Sequence, residues 1–178
     1  SAAYYLSVLG LEENARYALY RYSGGSYVYA DKVLSLARSM TFGGGGGGIL
    51  GWPVPGHTTI TSPFGVRTDP ATGQPRMHNG VDIGAPKGTP ILAVESGTVV
   101  QAINGCVEGN RACGGGYGNF VVIRHENGIE TLYAHNTQVL VTVGEQVQRG
   151  QMIARAGNTG KSFGSHLHLE VRVNGKPV

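Results

Sequence analysis

The sequence predicts an all-β core of antiparallel strands with long glycine-rich loops, similar to a barrel-sandwich, preceded by a short α-helical appendage. Two observations support this prediction. The 178 residues include 30 glycines, which are too many for an ordinary helical domain and are typical of tight turns between strands. Short runs rich in β-branched residues recur along most of the chain and are separated by Gly, Asn and Pro clusters.

The predicted strands all lie after residue 49. Each is a short run with β-branched or aromatic residues and turn residues on both sides, which is the pattern of a strand rather than a helix. The runs are 90–94, 97–100, 119–123, 130–133, 139–143, 152–154 and 167–171.

The first 42 residues have a different pattern and are predicted to be a helical fragment. Residues 11–22 have the composition of a helix that ends before Gly24, and a second helix is expected from about residue 26 to 40. Residues 43–48 are six consecutive glycines, which favour a flexible linker because glycine has no side chain to pack. The main domain is therefore expected to span 49–178.

Charge and hydropathy exclude two classes of partner. The formal net charge is +3 and no run of Lys or Arg occurs, so the sequence does not predict a nucleic-acid-binding surface. No apolar run approaches about 20 residues, so no membrane span is expected.

The two cysteines, Cys106 and Cys113, bracket a short segment with turn residues. We expect a disulfide if the protein works outside the cytoplasm. Two unrelated reduced thiols are the alternative. A zinc-binding cysteine pair is disfavoured because the spacing is longer than in CxxC sites and there is no second pair.

Three short segments hold four of the six histidines and one aspartate: 78–82, 133–135 and 166–168. Alternate residues of a strand face the same side, so His166 and His168 are expected to enter one cleft while Leu167 faces the core. His78 and Asp82 would lie roughly 13 Å apart in an extended chain. They can reach one ion only if the chain turns at Asn79-Gly80, which is a strong turn dipeptide.

These residue types favour metal chemistry. Two neutral imidazoles and one carboxylate are a common ligand set for a catalytic zinc ion that keeps one position open for water. Two further histidines nearby could transfer protons. The sequence therefore predicts a metal-assisted hydrolase.

The order and content of these motifs resemble the M23 family of zinc metallopeptidases, the lysostaphin- and LytM-like peptidoglycan endopeptidases. The resemblance covers about residues 52–176. It rests on His78-x-x-x-Asp82, Gly116–Asn119, Tyr133-Ala134-His135 and Gly164–Glu170.

The resemblance implies one zinc ion per chain on His78, Asp82 and His168, with His135 and His166 as the catalytic pair. It implies cleavage of peptide bonds in bacterial peptidoglycan, outside the cytoplasm, by a protein expected to be secreted, wall-associated or part of a phage tail. As a fragment the chain is expected to be a monomer.

Three further residues near these motifs leave alternatives open. Asn136 stands where the family commonly has Leu, next to the site rather than in it. Glu170 shares a strand face with His168 and could accept a hydrogen bond from it, but we expect an exposed edge carboxylate. Tyr133 could donate a hydrogen bond in the site or pack in the core.

Residues 158–162 imitate the end of a phosphate-binding P-loop. The first glycine that the motif requires would fall at Arg155, so the spacing fails. We expect this segment to form a wall of the cleft before His166.

Residues 18–34 faintly resemble the closing helices of lysozyme-like lytic transglycosylase domains, with Ser23 in place of the usual Asn. The alternative is a helical tether. Either way, we expect no catalytic group in this fragment.

Two other functions compete with an active peptidase. A degenerate, non-catalytic module that binds the wall or a partner would lack ligands, whereas all three ligands and both catalytic histidines are present. A biotinyl- or lipoyl-like carrier would need a lysine at a hairpin tip, and no such lysine is found.

Overall fold

The computed structural model of this chain describes residues 50–69 and 72–178. The predicted helical fragment 1–42 and the glycine linker 43–48 lie outside the described residues. The described part divides into two compact units: one lies within 64–78, and the other comprises 50–63 and 79–178. Within the described residues, no helix is long and apolar enough to cross a membrane.

The predicted all-β architecture is confirmed. The described residues contain thirteen β-strands and two single-turn 3₁₀ helices, Cys113–Gly116 and Glu126–Gly128. The strands are β1 Ile60–Ser62, β2 Gly65–Thr68, β3 Pro75–His78, β4 Val81–Gly84, β5 Pro90–Leu92, β6 Gly97–Ile103, β7 Asn119–Arg124, β8 Ile129–Asn136, β9 Gln138–Val139, β10 Gln146–Val147, β11 Met152–Arg155, β12 His166–Val173 and β13 Lys176–Pro177.

The larger unit contains two antiparallel sheets. The first has the order β1-β4-β12-β8-β7-β6-β10, and β13 pairs with the far end of β12. The second has the order β5-β11-β9. In the smaller unit, β2 and β3 pair as a hairpin in which Gly65 lies opposite His78.

The strand β7 lies between β8 and β6 and is buried on both faces. Its alternate residues Val121 and Ile123 belong to the main core cluster, whereas Phe120 and Val122 belong to a second cluster on the opposite face. This division follows from the two-residue period of a strand. It explains why 119–123 appears as a continuous apolar run in the sequence.

The prediction of a strand over 139–143 was wrong for most of that run. The strand β9 ends at Val139, and Val143 is exposed. Glu145 closes a turn instead: its carboxylate accepts a hydrogen bond from the Thr142 N–H, and its own N–H donates to the Thr142 carbonyl. These local side-chain and backbone contacts compete with strand pairing.

The expected disulfide between Cys106 and Cys113 is confirmed. The backbone of Cys106 is also bound at both polar groups by one side chain. Its N–H donates to Asn119 Oδ1 at 2.7 Å, and its carbonyl accepts from Asn119 Nδ2 at 3.0 Å. The cross-linked loop is therefore attached to the first residue of β7.

A chain of hydrogen-bonded polar groups links His125, just after β7, through two side chains of β8 to the backbone of residues 94–96. The His125 Nδ1 lies 2.9 Å from the Ser96 carbonyl, and its Nε2 lies 2.7 Å from Thr131 Oγ1. Thr131 Oγ1 lies 2.9 Å from the Tyr133 hydroxyl, which accepts from the Val94 N–H. Because each polar group has a partner, this chain can be buried at low cost.

We predict that protonation of His125 destabilises the fold. Burial lowers the pKa of His125, and this effect outweighs the opposite influence of Ser96, Glu95 and Glu130. The imidazole of His125 therefore binds a proton more readily in the unfolded chain than in the folded one. The stability that neutral His125 contributes is lost as pH falls below about 6.5. Urea unfolding of metal-free wild type and His125→Gln from neutral to acidic pH checks this. The stability difference between them should shrink as pH falls, and a constant difference would refute the role.

Gly80 lies where the turn between β3 and β4 passes against β12. A Cβ atom at this position would overlap with the carbonyl oxygen of Leu169 and would lie 3.0 Å from the Cε1 atom of His168. The close approach of the two backbones therefore requires a residue without a side chain.

We predict that Gly80→Ala lowers the free energy of unfolding by about 1–3 kcal/mol, because the obstructing atom belongs to backbone that cannot move freely. Gly164→Ala is the matched control, since a Cβ there would meet nothing within 4 Å. Thermal or urea unfolding of both variants measures the effect. Equal stability of the two would show that the turn can shift away from β12.

Candidate metal and proton-transfer site

The strand register brings the site residues of the larger unit together. His168 of β12 lies opposite Asp82 of β4 on one side and opposite Ala134 of β8 on the other. His135 follows Ala134 directly, and His166 lies two residues before His168 on the same strand. Four of the five predicted site residues are therefore neighbours on three adjacent strands.

His78 is the last residue of β3, and Asn79 and Gly80 separate it from β4. The turn that the sequence predicts between His78 and Asp82 is thus present. One ligand atom from each of His78, Asp82 and His168 lies within 4.8 Å of the others, and all three side chains are buried. These three residues form a group that can hold a metal ion.

The donor set and spacing fit zinc. His168 Nδ1 lies 2.8 Å from Asp82 Oδ1. Two ligand atoms at about 2 Å from one tetrahedral ion are about 3.3 Å apart, so only a small adjustment separates this contact from a shared coordination shell. Imidazole nitrogen and carboxylate oxygen are both ordinary zinc ligands.

His135 has an unusual backbone conformation. Its φ is 63°, and among the described residues only Asn174 shares a positive φ without being glycine. Two hydrogen bonds hold it there: its N–H donates to the Tyr117 carbonyl at 2.8 Å, and its Nδ1 lies 2.8 Å from the Thr159 carbonyl. Backbone strain of this kind concentrates at functional sites, where the surrounding contacts maintain it.

The loop that carries Thr159 was expected only to form a wall, and it does more than that. The Thr159 hydroxyl donates to the Asn136 carbonyl at 2.7 Å and accepts from the Asn119 N–H at 3.0 Å. These bonds fix the carbonyl that His135 contacts. A Cβ on Gly118 or Gly160 would overlap with the facing backbone, which explains both glycines.

His166 is anchored in the same way as His135. Its Nδ1 lies 2.8 Å from the Gly164 carbonyl, so the proton on Nδ1 is donated to the backbone. Its Nε2 then lies 3.5 Å from Asp82 Oδ1, and its ring centroid is 4.8 Å from that of His135. Because Nδ1 carries the proton in both rings, each Nε2 can accept one.

Burial and neighbouring groups set the protonation of His135 and His168. Burial, with the neighbouring His166 and His168, lowers the pKa of His135 to about 3. Burial also opposes a charge on His168, but hydrogen bonds to Asp82 and Glu170 outweigh it and raise the pKa of this residue. His135 is therefore neutral at physiological pH and has the form that accepts a proton.

The expectation that Glu170 is an exposed edge carboxylate was wrong. Its exposed fraction is 1%, and its Oε1 lies 3.0 Å from His168 Nε2. Its charge is balanced by Arg172, whose Nε donates to Oε2 at 2.7 Å. In the sequence, Arg172 two residues further along the same strand could have indicated a paired, buried carboxylate. The third partner, Tyr117, is far away in the chain and gives no such local signal.

Two other residues lie outside the site. Tyr133 is fully buried and its hydroxyl belongs to the polar chain through the core, so the core alternative is the correct one. Asn136 is also buried, and its Nδ2 donates to the backbone carbonyls of Asn119 and Tyr133 rather than to a site residue.

Two curated proteins that are similar to this chain are named as peptidases. The DD-carboxypeptidase/endopeptidase Mpg of Neisseria meningitidis is 45% identical over 122 residues, which are 68% of this chain and 26% of that protein. The peptidoglycan DD-endopeptidase ShyA of Vibrio cholerae is 40% identical over 128 residues, or 71% of this chain and 28% of that protein. The chain thus spans about a quarter of the length of these curated relatives.

A solved structure agrees with the sequence relatives. The crystal structure of a zinc containing peptidase from Vibrio cholerae matches with a TM-score of 0.60 and 36% identity, covering 72% of this chain and 38% of that one. The family model described as Peptidase family M23 matches residues 76–178. That segment is more than half of the chain and contains His78, Asp82, His135, His166 and His168, so the chain belongs to peptidase family M23.

Proposed function

We propose that this protein is a zinc-dependent endopeptidase that hydrolyses peptide bonds of bacterial peptidoglycan. His78, Asp82 and His168 hold one zinc ion per chain, and His135 and His166 are the catalytic pair. The observation that carries this proposal is the convergence of the three ligand atoms within 4.8 Å, with two further histidines anchored beside them.

The ion would lower the pKa of a bound water toward about 7 and polarise the scissile carbonyl. The chain's own contribution is to position proton acceptors. His135 and His166 each donate Nδ1–H to a backbone carbonyl, so the lone pair of each ring is on Nε2. That nitrogen can take a proton from the attacking water and return it to the leaving amine. A protonated ring would also stabilise negative charge that develops on the substrate.

The substrate assignment is supported by the relatives. Two of them are named as peptidases of the DD type, and one name specifies peptidoglycan. The disulfide between Cys106 and Cys113 is consistent with action outside the reducing cytoplasm. We infer that the protein acts outside the cytoplasm, as a secreted, wall-associated or phage-tail protein.

We predict that His78→Ala and His168→Ala lose most bound zinc, because each removes one of three protein ligands. Metal analysis after dialysis, with His57→Ala as the control outside the site, checks this. Wild type and the control should retain about one zinc per chain. Full retention of zinc in both ligand variants would contradict the ligand assignment.

We predict that His135→Ala and His166→Ala retain zinc but lose about 10²- to 10⁴-fold in turnover, the usual contribution of a positioned proton acceptor. The measurement is mass spectrometry of muropeptides released from defined cell walls, with metal content determined on the same samples. If wild type binds the walls, holds zinc and releases no peptide, the non-catalytic binding module is the correct function instead.

A further inference from the structure

We propose that Glu170 is a positioning residue for the metal site. Its carboxylate accepts a hydrogen bond from the Nε2–H group of His168, and Nδ1 of the same ring is thereby presented to the ion. The inference rests on the proposed function, because it assumes that His168 is a ligand. It assigns a role to a buried carboxylate that neither the ligand group nor the proton-transfer pair uses.

The two nitrogens of His168 face two different carboxylates. Nδ1 lies 2.8 Å from Asp82 Oδ1, and Nε2 lies 3.0 Å from Glu170 Oε1. A neutral imidazole carries one proton, and the nitrogen without the proton is the one that can bind a metal. A carboxylate at Nε2 keeps the proton on that nitrogen, so the lone pair is on Nδ1, beside Asp82.

Glu170 is itself held in one orientation. The Tyr117 hydroxyl donates to Oε1 at 2.8 Å, and Arg172 Nε donates to Oε2 at 2.7 Å. Arg172 Nη2 also donates to the Tyr117 hydroxyl at 3.1 Å, which closes the network. Both carboxylate oxygens therefore have donors, and the buried negative charge has a cation beside it.

The amide of glutamine cannot replace this arrangement. Glutamine has one oxygen acceptor and one NH₂ donor, whereas His168, Tyr117 and Arg172 all donate to the Glu170 carboxylate. Whichever way the amide turns, its NH₂ group faces a donor. Glu170→Gln thus keeps the size of the side chain, but the amide cannot accept hydrogen bonds from His168 and from Arg172 at the same time.

The test compares zinc dissociation constants, measured by competition with a chromophoric chelator, for wild type, Glu170→Gln and Glu130→Gln. Glu130 is the matched control, because it is also a strand carboxylate paired with an arginine, at 2.8 Å from Arg124. We expect zinc affinity to fall about 10- to 100-fold in Glu170→Gln and to change less than about twofold in the control. Equal affinities of wild type and Glu170→Gln, or equal losses in both variants, would overturn the proposal.

A spectroscopic measurement on wild type keeps the proposal testable even if Glu170→Gln fails to fold. In zinc-loaded, ¹⁵N-labelled protein, the imidazole nitrogen signals should show His168 protonated at Nε2 and metal-bound at Nδ1. Coordination through Nε2 would overturn the inference while leaving the proposed function intact. If wild type binds no zinc, the proposed function fails as well, and the two failures are thereby distinguished.

Discussion

The backbone pairing of β12 with β4 on one side and β8 on the other is the constraint on which the site depends. It places His168 opposite Asp82 and next to Ala134, whose following residue is His135. A shift of one residue in this register would turn His166 and His168 to the other face of the sheet, because side chains alternate along a strand. The buried Leu167 opposes such a shift, because the shift would move this apolar side chain from the core to the face that now carries the histidines.

Two backbone carbonyls orient the histidine rings that the strand register brings together. The histidines of the proposed catalytic pair both place Nδ1 at 2.8 Å from a carbonyl oxygen, one of Thr159 and one of Gly164. These bonds place the proton of each neutral ring on Nδ1 and leave the lone pair on Nε2. The Thr159 carbonyl is fixed in turn through Asn119, which also binds the backbone of Cys106, so the disulfide-linked loop and the site share one buried hydrogen-bond network.

Several features could be predicted from the sequence because they depend on local patterns. The two-residue period predicted that His166 and His168 share a face, and the Asn79-Gly80 dipeptide predicted the turn before Asp82. The disulfide was expected only on the assumption that the protein works outside the cytoplasm, and two reduced thiols were the alternative; the structure shows the disulfide. The strand prediction over 139–143 failed for a local reason: four of these five residues are β-branched, but the strand ends at Val139 and Thr142 and Glu145 form a hydrogen-bonded turn instead. The burial of Glu170 depends on Tyr117, which is distant in sequence and invisible to any local pattern.

The sequence by itself therefore determined the chemistry of the site, that is, which imidazoles and which carboxylate are available and in what order, together with the β-rich class of the fold. Only the tertiary structure decided how those groups are used. It set the left-handed backbone of His135, the carbonyl partner of each imidazole and the carboxylate that faces each nitrogen of His168. The physical reason is that burial, tautomer and pKa depend on groups that pairing and packing bring together from distant parts of the chain, and a one-dimensional pattern does not contain those distances.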